Sequence, residues 1–190
     1  MKSLYLASSS PRREQILKEM GFDFIVSPPI HFIEKESGGE TEALVCHNAR
    51  GKAREVAARY SDSIIIGCDT IVTLHKEIFG KPFTSGKAYA MLERLSGNWH
   101  NVLTGLAVID TESGRELVGY EKTEVKFKSL SKNEIADYVK SGEPLDKAGA
   151  YGIQGYGRAF VEEIKGNIST VIGLSKGLLL KFLSELGIRV

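Results

Sequence analysis

The chain has 190 residues, 42% apolar and 26% charged, with 25 basic residues against 24 acidic and a net charge of +1. This length suits one large domain or two small lobes, and the charge balance excludes a general electrostatic pull toward nucleic acid or an acidic membrane surface. The N-terminal apolar run, Leu4 to Ala7, is too short for a signal peptide, and no run approaches the ~20 residues that span a bilayer; with only Cys46 and Cys68 there is no disulfide framework, so a reduced, cytoplasmic setting is expected.

Ser3 to Ala7 reads as a strand. Ser10 suits a helix N-cap and Pro11 the first helical position; Ile16, Leu17 and Met20 form one apolar face, and Gly21 is a stop. Phe24 to Val26 is a second short strand, and Pro28 to Glu40 an irregular loop. Val45, Ala49, Ala53, Val56 and Tyr60 recur at helical spacing over Thr41 to Tyr60. The run SIIIGCDTIVTL then predicts a strand buried on both faces, with HKE turning it into a hairpin. A helix follows over Thr84 to Leu95. Val102 to Ile109 and Glu116 to Phe127 read as long antiparallel strands around the turn DTESG. Ser131 and Glu134 form a capping box for a helix ending near Gly142. Ala159 to Ile164 reads as a strand and Ser175 to Leu186 as the last helix. Alternating strands and helices with an inserted hairpin predict an α/β fold: a mixed, partly antiparallel sheet flanked by helices, in two lobes with a central cleft.

Four features carry candidate chemistry. Arg12 and Arg13 stand in the first turn of a helix, where the dipole disfavours cations and the N–H groups lack partners. Either they point to solvent or acidic surface groups, or a bound anion takes both the N–H groups and the guanidinium forks, with Ser8, Ser9 and Ser10 adding hydroxyls. Asp69 interrupts an apolar run, where a carboxylate is costly unless paired or metal-bound; it and Thr70 are expected at a sheet edge, as ligand contacts or as a loop cap. Lys52 borders the apolar face of its helix and either snorkels outward or reaches an internal anion, and the neighbouring Gly51 hints at close packing. Lys81 lies in GKP, held extended by Pro82. In DKAGAYGIQGYG, the closely spaced Gly149, Gly152, Gly155 and Gly157 suggest close backbone approach. Gln154 among them reads an amide-like base edge or is incidental to a turn.

Several other patterns fail. GKPFTSGKA is one residue too long for a P-loop and has Ala88 where Ser or Thr is required; GIQGYG reverses the dinucleotide-binding glycine spacing; Cys46-His47 lacks further partners at zinc spacing.

Taken together, LASSSPRREQIL, GCDTIV, GKP, MLERLSGNWHNVLTG, TEVKFKSLS, EIADYVKSGEPLDKAGAYGIQG and VIGL resemble, in order and over nearly the whole chain, the Maf family of nucleotide pyrophosphatases. The resemblance implies one two-lobed domain over residues 1–190, similar to inosine-triphosphate pyrophosphatases and often dimeric. It implies hydrolysis of a nucleoside triphosphate to monophosphate and pyrophosphate with a divalent metal, Mg²⁺ or Mn²⁺. It also implies a link to nucleotide-pool cleaning and arrest of cell division, with no nucleic-acid or membrane partner. Arg12, Thr70 and Gln154 match the branch acting on dTTP and UTP. Ser8, Arg13, Lys52 and Lys81 are then expected on the phosphates, Asp69 as base and metal ligand, and Glu34 as second metal ligand. Departures are Lys35 after Glu34, where the family has an acidic pair, Asn98 for a basic residue and Ser175 for proline. The alternative is a non-catalytic nucleotide-binding regulator of division using the same anion site.

Overall fold

The structure, a computed structural model, describes residues 2–36 and 39–188. Ser37 and Gly38, within the loop expected over Pro28 to Glu40, lie outside the described residues. In chain order the elements are β1 (Ser3–Ala7), α1 (Pro11–Glu19), β2 (Ile25–Val26), α2 (Thr41–Ala57), β3 (Ser63–Leu74), β4 (Glu77–Phe79), α3 (Ser85–Leu95), β5 (Trp99–Asp110), β6 (Glu116–Phe127), α4 (Lys132–Lys140), β7 (Val161–Lys165), α5 (Ile168–Ile172) and α6 (Lys176–Glu185). Tight 3-10 turns occupy Glu143–Asp146, Ala148–Ala150 and Tyr156–Phe160. The strand order is β2-β1-β3-β5-β6-β7, with β4 on β3. β2 and β3 run parallel to β1, whereas β4 is antiparallel to β3 and β7 to β6, so the sheet is mixed, as expected.

The chain forms two compact units. The first comprises Met1–Asp69, Thr104–Glu121 and Gly173–Val190; the second comprises Thr70–Leu103 and Lys122–Ile172.

In the first unit, the stripe Val45, Ala49, Ala53 and Val56 buries α2 against the sheet. Two glycines allow its close approach. A Cβ on Gly67 of β3 would stand 2.3 Å from the Ala49 carbonyl oxygen, and one on Gly105 of β5 2.3 Å from that of Val45. β1 pairs with β3 from Ser3↔Ser63 to Ala7↔Gly67 and stops there. Asp69 therefore lies two residues past the last β1 partner but inside β3. The expectation of a strand-end position for Asp69 and Thr70 is corrected: the edge is that of the shorter β1. α2 ends at Ala57, not Tyr60, because Tyr60 leaves the helix to stack on Tyr5 with ring centroids 3.9 Å apart.

In the second unit, Val72, Leu92, Leu95, Phe127, Ile135 and Phe160 belong to one buried cluster under α3 and α4. The β3–β4 hairpin closes on His75 and Lys76, both at positive φ, as a tight two-residue turn requires. Thr84 caps α3, and Ser131 and Glu134 form the full reciprocal box on α4. The strand expected over Ala159 to Ile164 begins only at Val161. Tyr156–Phe160 coils into a 3-10 turn, in which Phe160 is drawn into the aromatic cluster with Tyr138 and Phe127.

Candidate active site

The first unit holds a buried ionic cluster. Lys52 rises from the buried face of α2, and its ammonium lies 2.7 Å from Asp69 Oδ1 and 2.8 Å from Glu34 Oε1. The Lys52 and Asp69 side chains are 8% and 6% exposed, whereas Glu34 is half exposed. A buried charge pair is tolerated only when its remaining hydrogen-bonding capacity is met. Here Asn48, one helical turn before Lys52, donates to Asp69 Oδ2 at 3.1 Å. Lys52 thus reaches an internal anion and does not snorkel outward.

The loop that carries Glu34 is tied to α2 at three points. Asn48 Oδ1 accepts from the Lys35 N–H and its Nδ2 donates to the Lys35 carbonyl, both at 2.9 Å. The Glu55 carboxylate accepts the backbone N–H groups of Ile30 (2.6 Å), His31 (3.0 Å) and Phe32. The Ile30 N–H contributes most to holding the Glu55 carboxyl below its usual range; burial opposes it, and His31, Phe32 and Arg59 add to it. The Phe32 ring covers Gly51, where a Cβ would stand 1.9 Å from the ring edge. The close packing expected at Gly51 is therefore present, and the aromatic ring supplies it.

The serine loop after β1 forms a second cluster. Ser10 is the N-cap residue of α1, but its side chain makes no capping bond. Ser8 instead binds just outside the helix: its buried Oγ accepts from the Ser10 N–H at 3.2 Å and from Arg13 Nη1 at 2.9 Å. Arg13 Nε donates to the Gly173 carbonyl at 2.9 Å. With both acceptor positions used, the Ser8 hydroxyl proton is the donor left for an anion. Cys68 immediately precedes Asp69 on β3, and its carbonyl accepts from Lys52 Nζ at 3.4 Å. Burial pushes its thiol up, while the positive charges of Arg13 and Lys52 pull it down.

The structure therefore brings Lys52, Asp69 and Glu34 into direct contact, and Ser8 and Arg13 into another. Arg12 is half-buried on α1. Thr70 follows Asp69 at the start of the second unit's part of β3, and Lys81 and Gln154 are exposed in that unit. Among the described residues no group of three or more His, Cys, Asp or Glu converges to hold a metal. The two carboxylates on Lys52 nonetheless fit a hard divalent cation, because Mg²⁺ is commonly held by one or two carboxylates with water and substrate phosphates completing its shell. Asn48 and Glu55 are the residues that sequence reasoning missed. Asn48 left a signal, being a polar residue one turn from Lys52 on the same helix face.

Solved structures define the class of fold. The Staphylococcus aureus Ham1 protein superposes with a TM-score of 0.54 at 17% identity, covering 97% of this chain and 99% of that one. The mixed sheet flanked by helices is thus of the inosine-triphosphate-pyrophosphatase-like class. Residues 3–186 match the family described as Maf-like protein, and the chain belongs to that family. It is 44% identical over 190 residues to the dTTP/UTP pyrophosphatase of Symbiobacterium thermophilum, covering 98% of this chain and 95% of the relative. It is 46% identical over 184 residues to that of Aquifex aeolicus, covering 96% and 95%. Among the described residues no helix is long and apolar enough to cross a membrane.

Proposed function

We propose that this chain, as one nucleotide pyrophosphatase domain over residues 1–190, hydrolyses nucleoside triphosphates, dTTP and UTP foremost, to the monophosphate and pyrophosphate. The observation that carries the reading is the buried Lys52 ammonium held between Asp69 and Glu34. A cation and a carboxylate withdrawn from water, with a second carboxylate at their rim, are costly for stability alone, and such clusters concentrate at catalytic sites. The dTTP/UTP pyrophosphatases above support the substrate, and Arg12, Thr70 and Gln154 are the residues assigned to face the base. Unpaired Cys46 and Cys68 support a reduced, cytoplasmic setting.

Cleavage between the α and β phosphates needs neutralised charge, an aligned water and a proton acceptor. Arg13, Lys52 and Lys81 supply positive charge to the phosphates, and the Ser8 hydroxyl donates to the same anion. Asp69 accepts the proton of the attacking water; Asn48, bonded to Oδ2, fixes the plane of that carboxylate. Asp69 and Glu34 would hold a divalent cation, Mg²⁺ or Mn²⁺, which when bound neutralises phosphate oxygens and acidifies water. Lys52 holds the two carboxylates next to each other through its ion pairs at 2.7 and 2.8 Å.

A pyrophosphate-release assay over a nucleotide panel with Mg²⁺ tests the reading. Asp69→Asn keeps the shape and removes the base. Turnover is expected to fall at least ~10²-fold while nucleotide still binds, the low end of general-base contributions. Near-normal turnover would remove Asp69 from the mechanism. Nucleotide binding by the unaltered protein with no pyrophosphate released would turn the reading to a nucleotide-binding regulator.

A further inference from the structure

In the second unit, the glycine-rich segment closes around one carboxylate. Glu143 Oε2 accepts the Tyr156 N–H at 2.9 Å, and Oε1 accepts the Gly157 N–H at 3.3 Å and the Tyr138 hydroxyl at 2.9 Å. The Tyr138 oxygen in turn accepts the Gly152 N–H at 3.2 Å. Burial, and then the Glu143 carboxylate, push the Tyr138 hydroxyl up, so it stays protonated and donates. The glycines are required by this packing. A Cβ on Gly155 would stand 2.5 Å from both Glu143 carboxylate oxygens, and one on Gly157 2.8 Å from the Tyr138 oxygen. Glu143 is itself anchored, because Lys147 Nζ donates to its carbonyl at 2.6 Å.

The chain between these ties is Ile153, Gln154 and Gly155. Ile153 is buried, whereas Gln154 is exposed at the crest. The loop is held at Gly152 by Tyr138 and at Tyr156 and Gly157 by Glu143, so the direction of Gln154 is set by a residue eleven positions earlier in the sequence. The residues flanking Lys81 are tied to the stretch between Glu143 and the loop. The Phe83 N–H donates to the Leu145 carbonyl at 3.1 Å and the Gly149 N–H to the Gly80 carbonyl at 3.2 Å.

We propose that Glu143, acting through Tyr138, is a positioning residue for nucleotide selection: it holds the Gly152–Gly157 loop so that Gln154 presents its amide to the base. The inference rests on the reading of Gln154 as a base contact. Glu143 touches neither phosphate nor base, and its effect is on which nucleotide is preferred.

The test compares Glu143→Ala, Tyr138→Phe and Gln154→Ala in the whole protein, each assayed with UTP and CTP and melted without nucleotide. Tyr138→Phe keeps the ring in its cluster and removes only the hydroxyl, so it serves if the first variant folds poorly. The UTP-over-CTP ratio of kcat/KM is expected to fall about tenfold or more in all three, the scale on which a small misplacement acts. The loss is expected mainly in KM for UTP. The double variant Glu143→Ala with Gln154→Ala is expected to lose no further selectivity. A ratio that falls for Gln154→Ala but holds for Glu143→Ala and Tyr138→Phe overturns the inference and leaves the base contact intact. Equal losses for both nucleotides, tracking a lowered melting temperature, mean a purely structural strut and also overturn it. A ratio unmoved by Gln154→Ala overturns the base contact and the inference together.

Discussion

Lys52 and Asp69 form a 2.7 Å ion pair that is nearly closed to solvent, yet their other partners are unequal. Lys52 also has Glu34 at 2.8 Å and the Cys68 carbonyl at 3.4 Å, whereas among the described residues Asp69 otherwise has the Asn48 amide at 3.1 Å. The two halves of the pair therefore differ in what their removal leaves behind.

Lys52→Met leaves Asp69 buried with one neutral donor and is expected to destabilise the fold by about 3–5 kcal/mol, the usual cost of stranding half of a buried pair. Asp69→Asn leaves Lys52 with Glu34 and is expected to cost clearly less. Urea unfolding of both variants decides the order; equal losses would contradict it.

Glu55→Gln removes a full negative charge from the three N–H groups of Ile30, His31 and Phe32 and loosens the loop behind Glu34. If Glu34 is a metal ligand, Mn²⁺ affinity measured by paramagnetic resonance is expected to fall by about 10-fold or more, the usual effect of losing a supporting residue. Gly51→Ala, which drives Phe32 off the helix, is expected to act in the same direction.

Arg13→Lys separates charge from geometry. The guanidinium donates to Ser8 Oγ and the Gly173 carbonyl through two different nitrogens, which a single ammonium does not reproduce. KM for the triphosphate is expected to rise roughly 10-fold, more than kcat falls, as for a lost ground-state contact. Steady-state kinetics with UTP measure the split; an unchanged KM would place Arg13 outside the phosphate site.

Acid stability has two windows. Burial lowers the His100 imidazole to about 4, and its Nε2 lies 2.9 Å from the Tyr151 hydroxyl. The unfolded chain binds this proton near pH 6.5, the folded chain near 4, so stability is full above 6.5 and is lost as pH falls toward 4. The loss is on the order of 3 kcal/mol. His100→Phe is expected to flatten urea midpoints across this window. Asp110 acts lower: burial pushes it up, but the Lys2 ammonium, the Ser113 hydroxyl and the Glu112 N–H outweigh that and bring it to about 2. Its contribution is full above 3.8 and lost toward 2, so the His100→Phe protein should still weaken below pH 4.

Much of the fold was legible along the chain because its causes are local. The β-branched run of β3, the reciprocal cap of Ser131 and Glu134, and the Val45-to-Val56 stripe each depend on neighbours within a few residues. The family motifs carried the candidate residues Ser8, Arg13, Asp69 and Lys81 for the same reason, since each is a short contiguous string, and Lys52 was marked by its place beside the apolar stripe of its own helix. Only the tertiary structure decided which partners those residues have. Asp69 meets Lys52 across 17 positions, Ile30 meets Glu55 across 25, and Arg13 reaches Gly173 across 160. The glycines after Lys147 announced close approach in the sequence without saying to what. That the approaching group is the Glu143 carboxylate follows from how α4 and its trailing turn fold back on the loop, a pairing that no spacing rule encodes.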